Sequence, residues 1–225
     1  MAKGRHITYV EDFTVYVLDF EGSLKTGVLE YGLVGLTAKK GIFFSETKLC
    51  KNRENISASE TACHGICAKE LVNCEDFSCE IEKFVRLREK AFFCAHNAAF
   101  EDTLLSAYCP IVPNAYHIGF SQERRWFPWL DTLFLYKKYV KNQGCGLREL
   151  IEVCGLWNIL QQLGEKFCPD GRKNFHNALF DSLACALLFL NFIRSDIFKG
   201  KSLAWLIEQS SPKEEAMDMK QLKML

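Results

Sequence analysis

The sequence contains no run of about 18 apolar residues, the length that crosses a bilayer, so no membrane partner is expected. Its first residues, MAKGRHITYVEDF, lack the apolar core and cleavage site of a secretory signal, which makes a cytoplasmic location the expectation. Excess charge of either sign is missing too. The 28 basic and 28 acidic residues cancel, which argues against a large basic surface for duplex nucleic acid but not against a grip on a few nucleotides. Neither internal repeats nor a low-complexity linker divide the 225 residues, so one large domain with at most a small appendage is expected. The boundary is drawn between residues 1–198 and a helical tail, 199–225, packed on the same domain.

Cysteine is plentiful, with eleven residues, but no C-x-x-C pair occurs among them. The odd number and the apolar settings (AFFCAH, IEVCGL, SLACALL) read as reduced core thiols. Cys63, Cys67, Cys74 and Cys79 with His64 invite a zinc reading, which the missing pair weakens.

Three strand-like runs open the chain at about 13–20, 29–36 and 41–49, joined by the short polar connectors GSLKTG and TAKKG that suit antiparallel hairpins. A helical region around 68–90 follows, then a strand at 90–96 leading into a helix with Phe100, Leu104 and Tyr108 on one stripe. A further strand-to-helix passage spans 124–140, and another helix 146–155. The last patterned segment, 176–193, reads as a largely buried helix through Leu179, Leu183, Ala186, Leu190 and Ile193, with Asn177 as its N-cap. Antiparallel strands followed by alternating helices and strands imply an α/β domain with a mixed sheet flanked by helices.

The first run, YVLDFEGS, carries two acids where a buried strand should have none. Asp19 and Glu21 stand two residues apart, so they share one face, and burying them unpaired costs several kcal/mol each. His64, His96, Asn97, Glu101, Asp102, His176 and Asp181 fall at the mouths of other elements. Hard divalent cations prefer carboxylate oxygen and water, and two such ions can serve phosphodiester hydrolysis. Cations would neutralise Asp19 and Glu21 together.

LDFEG, HGI, AHNAAFE, LDTL and HNALFDSLACA occur in the order and spacing of the DEDD superfamily of 3′–5′ exonucleases. Over about residues 13–195 the chain resembles the histidine-containing (DEDDh) subclass, similar to ribonuclease T and the proofreading epsilon subunit of bacterial DNA polymerase III. The resemblance implies a ribonuclease H-like fold and an enzyme that releases nucleoside monophosphates from the 3′ end of DNA or RNA. It implies Asp19, Glu21, Glu101 and Asp181 as ligands of two Mg²⁺ or Mn²⁺ ions, although Glu101 stands where the family usually has Asp. It implies His176 as the general base that activates water. Phe20, Gly22, Ser23, His64 and Asn97 are the implied substrate contacts, single-stranded 3′ ends the implied partners, and a polymerase or another replication or repair protein a further one. Asp131 and Thr132 match a recurring Asp-Thr pair, read as a helix cap. Trp126, Phe127 and Trp129 beside Arg124 and Arg125 could stack on bases or fill the core. A non-catalytic binding relative and a ribonuclease H-like endonuclease are the competing readings.

Overall fold

The computed structural model describes residues 13–110, 126–140 and 144–210. Hairpin turns join β1 (Val15–Ser23), β2 (Gly27–Thr37) and β3 (Gly41–Leu49) into an antiparallel meander. On its other edge β1 pairs in parallel with β4 (Phe92–Ala95), and β4 with β5 (Trp129–Asp131). The strand order is β3-β2-β1-β4-β5, the mixed sheet expected from the sequence.

Alternation along the strands builds two cores. Val15, Val17, Val34, Leu36, Phe92 and Leu130 meet α7 (Ala178–Ile193) on one face. Leu18, Phe20, Leu33 and Phe93 meet α2 (Ile81–Arg88) and α3 (Ala99–Tyr108) on the other. Every residue of α7 except Asn191 is buried. Each large apolar side chain so buried is worth roughly 1.5–3 kcal/mol, which makes α7 the anchor of the fold.

Several elements differ from the sequence reading. The region 68–90 is not one helix: it holds two 3₁₀ turns, Ala68–Glu70 and Phe77–Cys79, before α2. The Asp76 carboxylate accepts the Ser78 N–H and starts a new turn there. His64 is the last residue of α1 (Ala58–His64), a helix opened by a Ser57–Glu60 capping box and closed by Gly65 at φ 73°. After α4 (Thr132–Lys137) and α5 (Leu147–Val153) comes α6 (Trp157–Phe167), which the sequence reading missed. Gly155, at φ 65°, turns the chain between α5 and α6. In the tail, α8 (Leu203–Ser210) packs Leu203, Leu206 and Ile207 into the first core. Residues 211–225, Arg124 and Arg125 lie outside the described residues. No described helix is long and apolar enough to cross a membrane.

Candidate active site

The face of β1 that begins with Val15 and Val17 continues with Asp19 and Glu21. The pairing of β1 with β4 ends at Val17–Cys94, so beyond it the strand edge is open to side chains. On the other edge Asp19 lies opposite Gly32 and Glu21 opposite Glu30. Gly32 is what lets α7 descend onto this point: a Cβ there would stand 2.1 Å from the Ala178 carbonyl oxygen. The first turn of α7 therefore delivers Asp181 to the acids of β1. Ligand atoms of Glu21, His176 and Asp181 lie within 4.8 Å of one another. From α3, Glu101 is 3% exposed, and the Phe20 backbone N–H favours its ionised form.

No salt bridge reaches these acids from the described residues, and the electrostatics record it. Burial, then Asp181, Glu21 and Glu101, push the Asp19 carboxyl well above its usual range. Burial with Asp181 and Glu30 raises Glu21 to about 8, against an opposing pull from Arg172. Burial raises Asp181 to about 7, against the His176 N–H and Arg148. Burial also drives Glu101 upwards, and Asp131 and Glu21 add to it. Oε2 of Glu101 and Oδ1 of Asp181 are buried without a hydrogen-bond partner. Orphaned carboxylate oxygens facing other carboxylates fit a hard divalent cation.

Two non-glycine residues adopt left-handed backbone at this site: His176 at φ 64° and Asn97 at φ 72°. Such conformations cost of order 1–3 kcal/mol and persist where the surroundings enforce them. The His176 N–H donates to Asp181 Oδ2 at 2.9 Å, which ties the exposed imidazole to the acid. The Asn97 and Ala98 N–H groups donate to the two oxygens of Asp131, at 3.0 and 2.9 Å. Asp131 also accepts the Leu133 N–H at 2.9 Å, so one carboxylate caps α4 and holds the entry to α3.

Glu30 and Arg172 were absent from the sequence reading. Glu30 is 1% exposed, and Arg172 grips it through Nε at 2.8 Å and Nη2 at 2.5 Å. Its Oε2 also accepts the Ala178 N–H, 3.1 Å away, so a strand residue caps α7 in place of the Asn177 side chain. The signal for Glu30 was present: a lone acid in an apolar strand, facing Glu21 once the hairpin register is drawn.

The remaining sequence-predicted residues divide. His64 is buried; its Nδ1 accepts the Ile66 N–H, so Nε2 carries the proton, and that nitrogen has no partner. Burial lowers its pKa first, Glu60 and Glu30 oppose that shift, and Arg172 and His176 add to it. Phe20 turns away from the site and packs edge-on to Phe77, leaving only its backbone there. Gly22, at φ 134°, and Ser23, hydrogen-bonded to Thr26, end β1 after a register shift between Glu21 and Gly22, just before the β1–β2 turn. Phe100 is 39% exposed, so the buried stripe of α3 is Glu101, Leu104 and Leu105. Asp102 accepts the Trp129 indole N–H at 3.0 Å. Trp126 and Trp129 fill the second core rather than presenting faces for stacking. Among the described residues the Cys63 group does not gather as ligands; three of its thiols fall at separate half-buried or exposed positions along 67–79. His96 bridges Thr132 Oγ1 and the Cys145 carbonyl, both at 2.9 Å, and burial lowers it to about 4.

Solved structures share this architecture. Exonuclease X in complex with 5′-overhanging duplex DNA matches with a TM-score of 0.59 at 17% identity, over 86% of this chain and 99% of that one. The nuclease domain of 3′hExo, a DEDDh family member bound to rAMP, matches with a TM-score of 0.60 at 14% identity, over 87% and 96%. A 3′-exonuclease that recognises the histone mRNA stem-loop matches with a TM-score of 0.60 at 15% identity, over 83% of each chain. The chain thus has the ribonuclease H-like fold of the DEDDh 3′-exonucleases, which it resembles in its motifs as well. In sequence it is similar to the PolC-type DNA polymerase III of Thermotoga petrophila, 28% identical over 199 residues and 84% of this chain. The enzyme of Thermotoga maritima is 28% identical over 189 residues and 81% of the chain. The chain spans 13% and 12% of the length of these two relatives. No family model matches the sequence.

Proposed function

We propose that this chain is a divalent-cation-dependent 3′–5′ exonuclease that hydrolyses phosphodiester bonds at the 3′ end of DNA or RNA. One observation carries the reading: four carboxylates at buried or half-buried positions, Asp19, Glu21, Glu101 and Asp181, converge beside His176, and among the described residues no salt bridge reaches them. Their fold is shared with 3′-exonucleases. Asp19, Glu21, Glu101 and Asp181 would hold two Mg²⁺ or Mn²⁺ ions. When bound, such ions stabilise charge on the attacking and leaving oxygens of a phosphodiester. His176, exposed beside Asp181, takes the proton from the attacking water. The His176 N–H bond to Asp181 holds that left-handed backbone, and a ring nitrogen lies within 4.8 Å of carboxylate oxygens of Glu21 and Asp181. His64 and Asn97 line the approach as substrate contacts. Among the relatives, one structure holds DNA and others concern histone mRNA or rAMP, which supports a nucleic-acid 3′ end without choosing the sugar. The PolC-type relatives support a polymerase as a partner.

The test is direct. Purified protein on 5′-labelled single-stranded DNA and RNA should be inert in EDTA. Mg²⁺ or Mn²⁺ should restore stepwise shortening from the 3′ end with release of mononucleotides, and a 3′-phosphate should slow it. Full activity in EDTA, or internal cleavage, would overturn the reading.

A further inference from the structure

A polyanionic strand must approach a site that is itself acidic, so the cations around that site matter. Arg172 is committed to Glu30. Lys173 is committed to Glu165 and Asp170. Arg148 is held differently. It is exposed on the first turn of α5, forms no ion pair among the described residues, and lies with its Cζ 4.8 Å from the centre of the Phe175 ring. Phe175 directly precedes His176 and is fixed on two sides. Its ring stacks on Trp157 at 6.0 Å and meets Phe180 edge-on at 5.3 Å. The segment before α5 is fixed as well, because His96 holds the Cys145 carbonyl. Neighbouring Leu150 and Ile151 are fully buried. Arg148 is also close enough to Asp181 to help its carboxyl ionise.

A guanidinium held over an aromatic ring by the cation–π attraction, with no carboxylate paired to it among the described residues, keeps N–H groups available to another acceptor. A guanidinium so placed can give two hydrogen bonds to one phosphate. If the scissile phosphate lies at the acids, the terminal nucleotide offers no further phosphate, since its other end is the 3′-hydroxyl. A phosphate flanking the reaction must then be the next one upstream. We propose that Arg148, perched on Phe175, binds the backbone phosphate immediately 5′ of the scissile phosphate. The subsite takes a phosphodiester of a single strand and reads no base. It rests on the exonuclease reading for its register, and its test does not depend on turnover.

The experiment measures binding of a fluorescein-labelled single strand by anisotropy in EDTA, where hydrolysis is off. An all-phosphate strand is compared with one carrying a neutral methylphosphonate at that upstream position, on the unaltered chain and on Arg148→Ala. The unaltered chain should bind the methylphosphonate strand about tenfold more weakly, as expected for a lost charge-assisted hydrogen bond. Arg148→Ala should bind the two strands within about twofold of each other, and its slope of log affinity against log salt should be shallower by about 0.7. Phe175→Leu should fall between the two proteins, and Arg148→Lys should recover the salt slope but only part of the affinity. Independent, additive losses from the methylphosphonate and Arg148→Ala would overturn the subsite, as would an unchanged salt slope. If Mg²⁺ or Mn²⁺ then fails to start shortening while this coupling holds, the exonuclease reading falls and the phosphate contact stands.

Discussion

Two groups of acids gather around one sheet and are held in opposite ways. Around β2 and β3 each acid has a basic partner: Glu30 has Arg172, Glu46 has Lys83, and Glu80 has Lys48 and Lys83. Burial works against ionised Glu80, but its hydrogen bonds from Lys48 and Lys83 prevail and hold it at about 2. Around β1, Asp19, Glu21, Glu101 and Asp181 face one another, and Glu21 and Asp181 rise to about 8 and 7. The first group is complete as the chain folds. The second costs the fold stability until charge arrives from outside, which is what an ion-binding site requires.

The sharpest way to break this contrast is to neutralise one member of the unpaired group. Glu21→Gln or Asp181→Asn should lower nuclease activity by at least about 10²–10³-fold, the worth of one electrostatic contact in a reacting centre. The same variants should melt at a higher temperature than the unaltered chain in EDTA, because a repelling buried carboxylate is gone. A matching loss of activity and stability would place these acids in the first group.

Next in size is the choice within α3. Glu101→Gln should remove activity by a comparable factor, whereas Asp102→Asn should keep most of it, since Asp102 serves the Trp129 indole. The reverse result, read in a simple turnover assay, would shift the motif by one residue.

Glu30→Gln joins the two groups, because Glu30 is paired yet caps the helix that carries Asp181. Leaving Arg172 without its partner should cost about 3 kcal/mol in denaturant unfolding. Misplacing the start of α7 should cost roughly 10–100-fold in activity, as for supporting residues of metal ligands. Stability loss with undiminished turnover per folded molecule would confine Glu30 to the structural group.

The pH dependence follows with a definite sign. Glu21 has a folded-state pKa of about 8, above the usual 4.5 of the unfolded chain. Between those values the native state binds more protons, so stability falls as pH rises through that window. Thermal melts in EDTA should therefore decline from about pH 5 to about pH 8. Mg²⁺ or Mn²⁺ should stabilise most at the upper end, where the acids are forced to ionise. A cation effect independent of pH would contradict the unpaired arrangement. The smallest effect belongs to Glu80→Gln, a partly exposed ion pair. It should cost at most about 1 kcal/mol and leave activity within about twofold.

Local pattern made much of this legible. Period-2 alternation set Asp19 and Glu21 on one face of β1, and apolar spacing marked α7 as buried, because both are properties of a few consecutive residues. The five motifs and their order carried the resemblance that led to Glu101, His176 and Asp181. Local pattern failed where a residue's environment depends on distant chain. Phe100 looked like the buried side of α3 because it is apolar, yet packing turned Glu101 inward, toward the open edge of β1. Trp126 and Trp129 could have been surface platforms or core, and only the second core decided.

The sequence by itself determined which residue types were available and which neighbours share a face. Tertiary structure alone decided that Glu30 of β2 would cap a helix 148 residues later and take Arg172 from 142 residues away. It alone decided that Gly32 would admit α7 to the acids and that Arg148 would come to rest on Phe175. The reason is physical: periodicity reports whether a side chain faces water or core, whereas a buried charge is satisfied by whichever partner the folded chain brings within about 3 Å.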